Sequence, residues 1–156
     1  SNGFKFDGML CGSMEGFLQS LKQKDINKQR RICSMKGKNA KKMTTNAWQC
    51  DQIVWWKGNA IDRQSEDFIK LVRAAYQCMF EQNERFRMAL MDTRGMTLYH
   101  SRGETNPYKT ILTEQEFCEV LAAIRESYDM REKIVPKLRI CEFEDMSLVN
   151  TNTDKQ

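Results

Sequence analysis

Glu15, Gln19 and Lys22 stand at i, i+4 and i+7. On a helix that spacing puts an acid, an amide and an ammonium into one narrow stripe. Met14, Phe17, Leu18 and Leu21 recur at the spacing of an adjacent apolar face, which would anchor the same helix in a core. Ser13 is placed to cap its N-terminus, offering an oxygen to the unpaired N–H groups of the first turn. Polar groups held this way can edge a pocket. A carboxylate and an amine at a ribosyl C1 can stabilise an oxocarbenium-like centre and activate a water. The same stripe is also what a solvated helix face looks like.

Other residues offer less. His100 is the only histidine, followed by Ser101 and Gly103. Trp48, Trp55 and Trp56 lie close together, as core residues or as a stacking surface for a base or nicotinamide. If 52–56 is a strand, one of Trp55 and Trp56 faces outward, because neighbours alternate faces. Lys36, Lys38, Lys41 and Lys42 form a basic run around Gly37. It fits a solvated turn, or attraction to a phosphate backbone.

The elements that must position these residues follow from local pattern. Gly3–Phe6 and Met9–Cys11 read as short strands joined by the turn dipeptide Asp7-Gly8. After the helix of 13–23, Asp25 caps a second helix that Gly37 is expected to end. Gln52–Trp56 reads as a strand, with a turn at Lys57-Gly58-Asn59. The clearest helix spans about 65–81, capped by Ser65. A further helix holds Phe86, Ala89 and Leu90 and is broken by Gly95, and 96–100 reads as extended. Thr113 and Glu116 form a capping box that opens a helix through Phe117, Val120, Leu121 and Ile124. Residues 137–143 read as a last strand or edge segment, and the tail from Asn150 as polar and frayed.

The 156 residues suit one domain, with 40% hydrophobic and 29% charged residues and a net charge of +4. That charge is too small to argue for nucleic acid by itself. No apolar run reaches the length of a membrane span, and no charged-then-apolar leader opens the sequence. The six cysteines form no Cys-x-x-Cys pair, and with one histidine a zinc site of usual spacing is nearly excluded. Cys33, Cys78 and Cys118 fall in helix patterns as small hydrophobes. With ten methionines beside them, a reducing cytoplasm is the expected location. The sequence has no Gly-x-Gly-x-x-Gly, Walker loop or Gly-x-Ser-x-Gly elbow.

Taken in order, several of these segments resemble one family. Phe6-Asp7-Gly8, Ser13-x-Glu15 and Gln19-x-x-Lys22 resemble the opening of the NADAR (YbiA-like) family, and Ser1-Asn2 the end of its usual entry motif. Ala40-Lys41 after Gly37, Trp56 before the long helix, and Phe86-Arg87-x-Ala89-Leu90 with Asp92-Thr93-Arg94-Gly95 continue the likeness. Leu98-Tyr99-His100-Ser101 and the Thr113–Cys118 run complete it, over about residues 1–126. The resemblance implies a single α+β domain, mainly helical with small β-hairpin elements. The chain is expected to form that domain over 1–149, with a polar, disordered tail over 150–156. It implies cleavage of N-glycosidic bonds: phosphoribosyl-amine intermediates of riboflavin synthesis in some members, ADP-ribose on modified guanine bases in others.

Family positions carry over to Glu15 and Lys22 as catalytic residues. Asn2, Gln19, Trp56, Thr93, His100 and Ser101 carry over as substrate-binding residues. Glu15 is the expected acid/base or charge-stabilising group. Lys22 would hold a phosphate or hydroxyl, or form a transient adduct with an opened ribose. Two departures stand out: Asn106-Pro107 where many relatives have Asp and later Trp-Gly, and the extra Arg94. The resulting expectation is a cytoplasmic N-glycosidase acting on an ADP-ribosyl or phosphoribosyl ligand, free or on ADP-ribosylated nucleic acid. It would use no cofactor and no metal and have no membrane association. The alternatives are a non-catalytic ADP-ribose or NAD-binding module and a domain for partner interactions.

Overall fold

A computed structural model describes the backbone of residues 3–100 and 102–153, and side chains through residue 134 apart from 101. Asn2 and Ser101 lie outside the described residues. The chain divides into two compact units, 1–122 and 123–156.

The first unit opens with a hairpin, β1 (Phe4–Phe6) and β2 (Met9–Cys11), paired antiparallel with Phe6 opposite Met9. Phe4, Phe6, Met9 and Cys11 point inward, and Lys5 and Leu10 outward, the period-two pattern of a half-buried ribbon. Helix α1 (Met14–Ser20) follows at once, with Ser13 Oγ accepting from Gly16 N at 2.9 Å. α2 (Ile26–Cys33) is capped by Asp25, whose Oδ1 accepts from Lys28 N at 2.9 Å. α3 (Gly37–Lys42) and the short α4 (Trp48–Asp51) lead to a second hairpin, β3 (Ile53–Trp56) and β4 (Asn59–Asp62). α5 (Glu66–Gln82) and α6 (Glu84–Met91) follow, capped by Ser65 and Asn83. α7 (Glu114–Thr153) begins in the first unit, and its continuation forms the second.

The core gathers the two hairpins and α1. Phe6, Phe17 and Trp56 form an aromatic trio with ring centroids 5.3–5.6 Å apart. The two hairpin turns are tied together: Trp56 Nε1 donates to Asp7 Oδ2 at 2.9 Å, and Lys57 Nζ to the Asp7 carbonyl at 2.8 Å. Gln29, 1% exposed, joins three elements. Its amide donates to the carbonyls of Ser20 and Trp55, at 3.0 and 2.6 Å, and accepts from Lys57 N at 2.9 Å. Buried amides are costly unless paired, and this one is fully paired. Around α1's start the chain passes close to the backbone that follows α2. A Cβ at Gly12 would come 2.1 Å from Ser34 O, and one at Gly16 2.5 Å from Met35 O.

Three expectations are corrected. Gly37 does not end α2, which stops at Cys33; it begins α3, where a Cβ would press within 3.2 Å of the Glu15 side chain. Residues 96–100 are irregular, with no strand partner among the described residues. Residues 137–143 are helical, part of α7, rather than a strand. Residues 150–153 continue that helix, and 154–156 lie outside the described residues.

Candidate active site

Glu15 and Gln19 project from α1, and Lys22 follows in the turn that closes it. Lys22 N donates to Gln19 O at 3.1 Å, and Trp55 N to Leu21 O at 2.8 Å, so β3 fixes where the helix ends. All three side chains line one cavity of about 390 Å³, and His100 lines it too. That volume suits a small ligand. Tyr76 of α5, Phe117 and Glu114 of α7, and the 109–113 segment complete the wall, with Lys41 of α3 at its edge.

The polar groups form a chain. Gln19, 4% exposed, donates through Nε2 to Glu15 Oε1 at 2.8 Å. Its Oε1 accepts from Thr44 Oγ1 at 2.8 Å, which orients the amide. Lys41 Nζ stands 3.8 Å from the same Glu15 oxygen. Among the described residues nothing donates to Glu15 Oε2. Lys22 is half-buried, and desolvation holds its ammonium below the usual lysine pKa, with Lys41 adding to the effect and Glu15 opposing it. Burial, and then the Glu15 charge, push the Tyr76 phenol up, so it stays a protonated donor at the wall.

The far wall is built by contacts distant in sequence. Arg63, 1% exposed, holds Glu116 with two hydrogen bonds of 2.6 and 3.1 Å and donates to Thr110 O at 3.3 Å. Thr113 and Glu116 complete the capping box, at 3.1 and 2.9 Å. Gln64, Gln52 and Gln49 donate to the carbonyls of Pro107, Tyr108 and Lys109 in turn. His100 stacks edge-on against Phe117, centroids 5.7 Å apart.

Trp56 and Thr93 do not line this cavity. Trp56 is 5% exposed in the aromatic core, where its ring has no free face for a base. Its neighbour Trp55 is the outward one, with Lys24 Nζ 4.9 Å from its ring centroid. Thr93 Oγ1 donates to Leu90 O at 2.6 Å at the end of α6. Arg94 Nε donates to Met91 O, and Asn106 Oδ1 accepts from Tyr108 N in a local turn, so both departures from the family pattern shape backbone. Sequence reasoning missed Tyr76, whose helical spacing marks only core, and Lys109 and Thr110, which lie in a loop without period. Lys41 was visible in a basic run and in the family likeness, but not as part of the site. Among the described residues no cluster of three or more His, Cys, Asp or Glu could hold a metal ion, and no helix is long and apolar enough to cross a membrane.

An α+β fold with, among the described residues, seven helices and two antiparallel hairpins, and a polar array along its first helix, is YbiA-like. The solution structure of YbiA from E. coli matches with a TM-score of 0.57 at 16% identity, over 85% of this chain and 76% of that one. The chain belongs to the family of bacteriophage protein GP30.3, which matches residues 1–126. An uncharacterised 17.1 kDa protein from the Gp30–rIII intergenic region of Enterobacteria phage T4 is 37% identical over 128 residues, 80% of this chain and 84% of the relative.

Proposed function

We propose that this protein is an N-glycosidase that hydrolyses a ribosyl–nitrogen bond of an ADP-ribosyl or phosphoribosyl substrate in the reducing cytoplasm. One observation carries the reading: Glu15, Gln19, Lys22 and His100 share a cavity edged by further lysines, Lys41 and Lys109. The cations suit phosphates, and the Glu15 carboxylate suits a centre that becomes positive as the bond breaks.

In this scheme Glu15 stands near the ribosyl C1, with Oε1 oriented by Gln19 and Oε2 open to a water. The C1–N bond breaks and its electron pair leaves with the base nitrogen. Water adds to C1 and gives a proton to Glu15, which passes it to the departing nitrogen. Lys22 pairs with a phosphate or hydroxyl. Its lowered pKa also favours the neutral amine that would add to the C1 aldehyde of an opened ribose, losing water to an imine that water later reverses.

The test offers two substrates, a guanine nucleoside ADP-ribosylated on its base and a phosphoribosylamine, and follows release of the ribosyl group by mass. Turnover of either that Glu15→Gln abolishes supports the reading. ADP-ribose binding without turnover of any N-glycoside replaces it with the non-catalytic module.

A further inference from the structure

A second cavity of about 320 Å³ lies against the first, and nothing in the scheme above uses it. Thr113 and Glu114 line both, so the start of α7 is their common wall. Leu98, Tyr99, Thr105 and Cys118 supply most of the remaining surface, with Gln115 and Glu119 on the helix.

The two cavities differ in charge. The first is lined by Lys22, Lys41 and Lys109 with His100, against the carboxylates of Glu15 and Glu114. Among the described residues the second has no lysine, arginine or histidine in its lining, and it has two carboxylates. Glu119 accepts from Gln115 Nε2 at 2.8 Å. The Glu114 carboxylate meets no donor or cation among the described residues, and it stands in the common wall. Tyr99 also lines it, 82% exposed, with no ring contact among the described residues. A phosphate would be repelled here. A flat, uncharged ring carrying N–H donors would gain a stacking partner in Tyr99, an apolar bed in Leu98 and Cys118, and an acceptor in Glu114.

We infer that the second cavity is the leaving-group subsite: it takes the nucleobase, and the first cavity takes the phosphate-bearing ribosyl group. The inference rests on the N-glycosidase reading for the pairing of the two halves. It adds that the split in charge sets polarity, with the anionic end seated at Lys22 and the base across Glu114. Specificity for the base then belongs to Tyr99 and Glu114, residues outside the Glu15–Lys22 array.

Cys118 supplies a probe in the unaltered protein. Its thiol is partly exposed, as is Cys78, while Cys50 is open to solvent. Burial and Glu114 push the Cys118 thiol up, so alkylation by iodoacetamide is followed at mildly alkaline pH, peptide by peptide. Guanosine at about four times its Kd slows alkylation of Cys118 about fivefold, and leaves Cys50 unchanged. ADP-ribose alone does not protect Cys118, and the two ligands bind together. Tyr99→Ser, which removes an exposed ring, weakens guanosine about fivefold or more, the low end of stacking on an aromatic side chain, and spares ADP-ribose. No protection at millimolar guanosine, or displacement of guanosine by ADP-ribose, overturns the inference. Protection by guanosine with no turnover of any N-glycoside keeps the base subsite and removes the hydrolase. Turnover without protection does the reverse.

Discussion

Arg63 and Glu116, 53 residues apart, form a two-armed ion pair in which the guanidinium is 1% exposed and lies 4.4 Å from the Phe68 ring. The same carboxylate caps the first turn of α7. One side chain therefore ties β4 and α5 to the helix that walls both cavities. Replacing Glu116 with Ala leaves a buried cation unpaired, which costs about 3–5 kcal/mol. Denaturant titration of Glu116→Ala against wild type measures it. A loss under about 1 kcal/mol, the range of exposed pairs, would mean the arginine finds water.

Glu15→Gln keeps shape and removes charge. Turnover of an accepted substrate should fall by roughly a hundredfold, the scale of a general acid–base group. The melting temperature should hardly move, because Glu15 is partly exposed and its Lys41 partner is 70% exposed. An unchanged rate takes Glu15 out of the mechanism.

Lys22 carries a charge that burial opposes, so its folded pKa lies below the unfolded value of 10.5. The sign follows: below the lowered pKa both states are charged and the fold bears the full penalty. Between the two values the folded protein has released its proton, and above 10.5 the penalty is gone. Lys22→Met should therefore stabilise the protein at neutral pH, by an amount that shrinks as pH rises toward 10.5. The same variant should lose activity. Borohydride added during turnover should fix a ribosyl mass on Lys22 of the wild type if the imine forms; labelling elsewhere would assign the amine to another lysine.

Lys36, Lys38 and Lys42 are exposed on and beside α3, whose Lys41 reaches Glu15. If the substrate is ADP-ribosylated nucleic acid, binding should weaken steeply with salt. Changing the three to Ser should lower the log–log slope by about 0.7–0.9 for each lysine that meets a phosphate. Hydrolysis of a small ribosyl substrate should stay nearly intact. Equal slopes for wild type and variant would point to a free metabolite.

The first hairpin, the strand and turn that open the second, the caps and the α1 stripe were legible because each is a local signal. Ser13, Asp25, Ser65 and Thr113 all serve as read, since a cap needs only a side-chain oxygen and the next few N–H groups. Gly37 misled because a glycine after a helix resembles a stop, while its role is set by Glu15, 22 residues away. The burial of Trp56 was not legible either, because alternation says that one of two tryptophans turns outward but not which. The far wall was illegible. Arg63, Gln49, Gln52 and Gln64 look like surface residues in sequence, and only the fold aims them at the backbone of 107–110.

Gly12 and Gly16 set main chain against main chain where α1 meets the end of α2. The depth at which Glu15 stands is thus set where backbone meets backbone, a spacing that leaves no room for a side chain at either glycine. That seat is a fixed datum for divergence. Sequences can drift across Tyr99, Lys109 or the lysines of α3, and acquire new ligands, while the acid keeps its address. A single methyl group at either glycine would move that address and every wall referred to it.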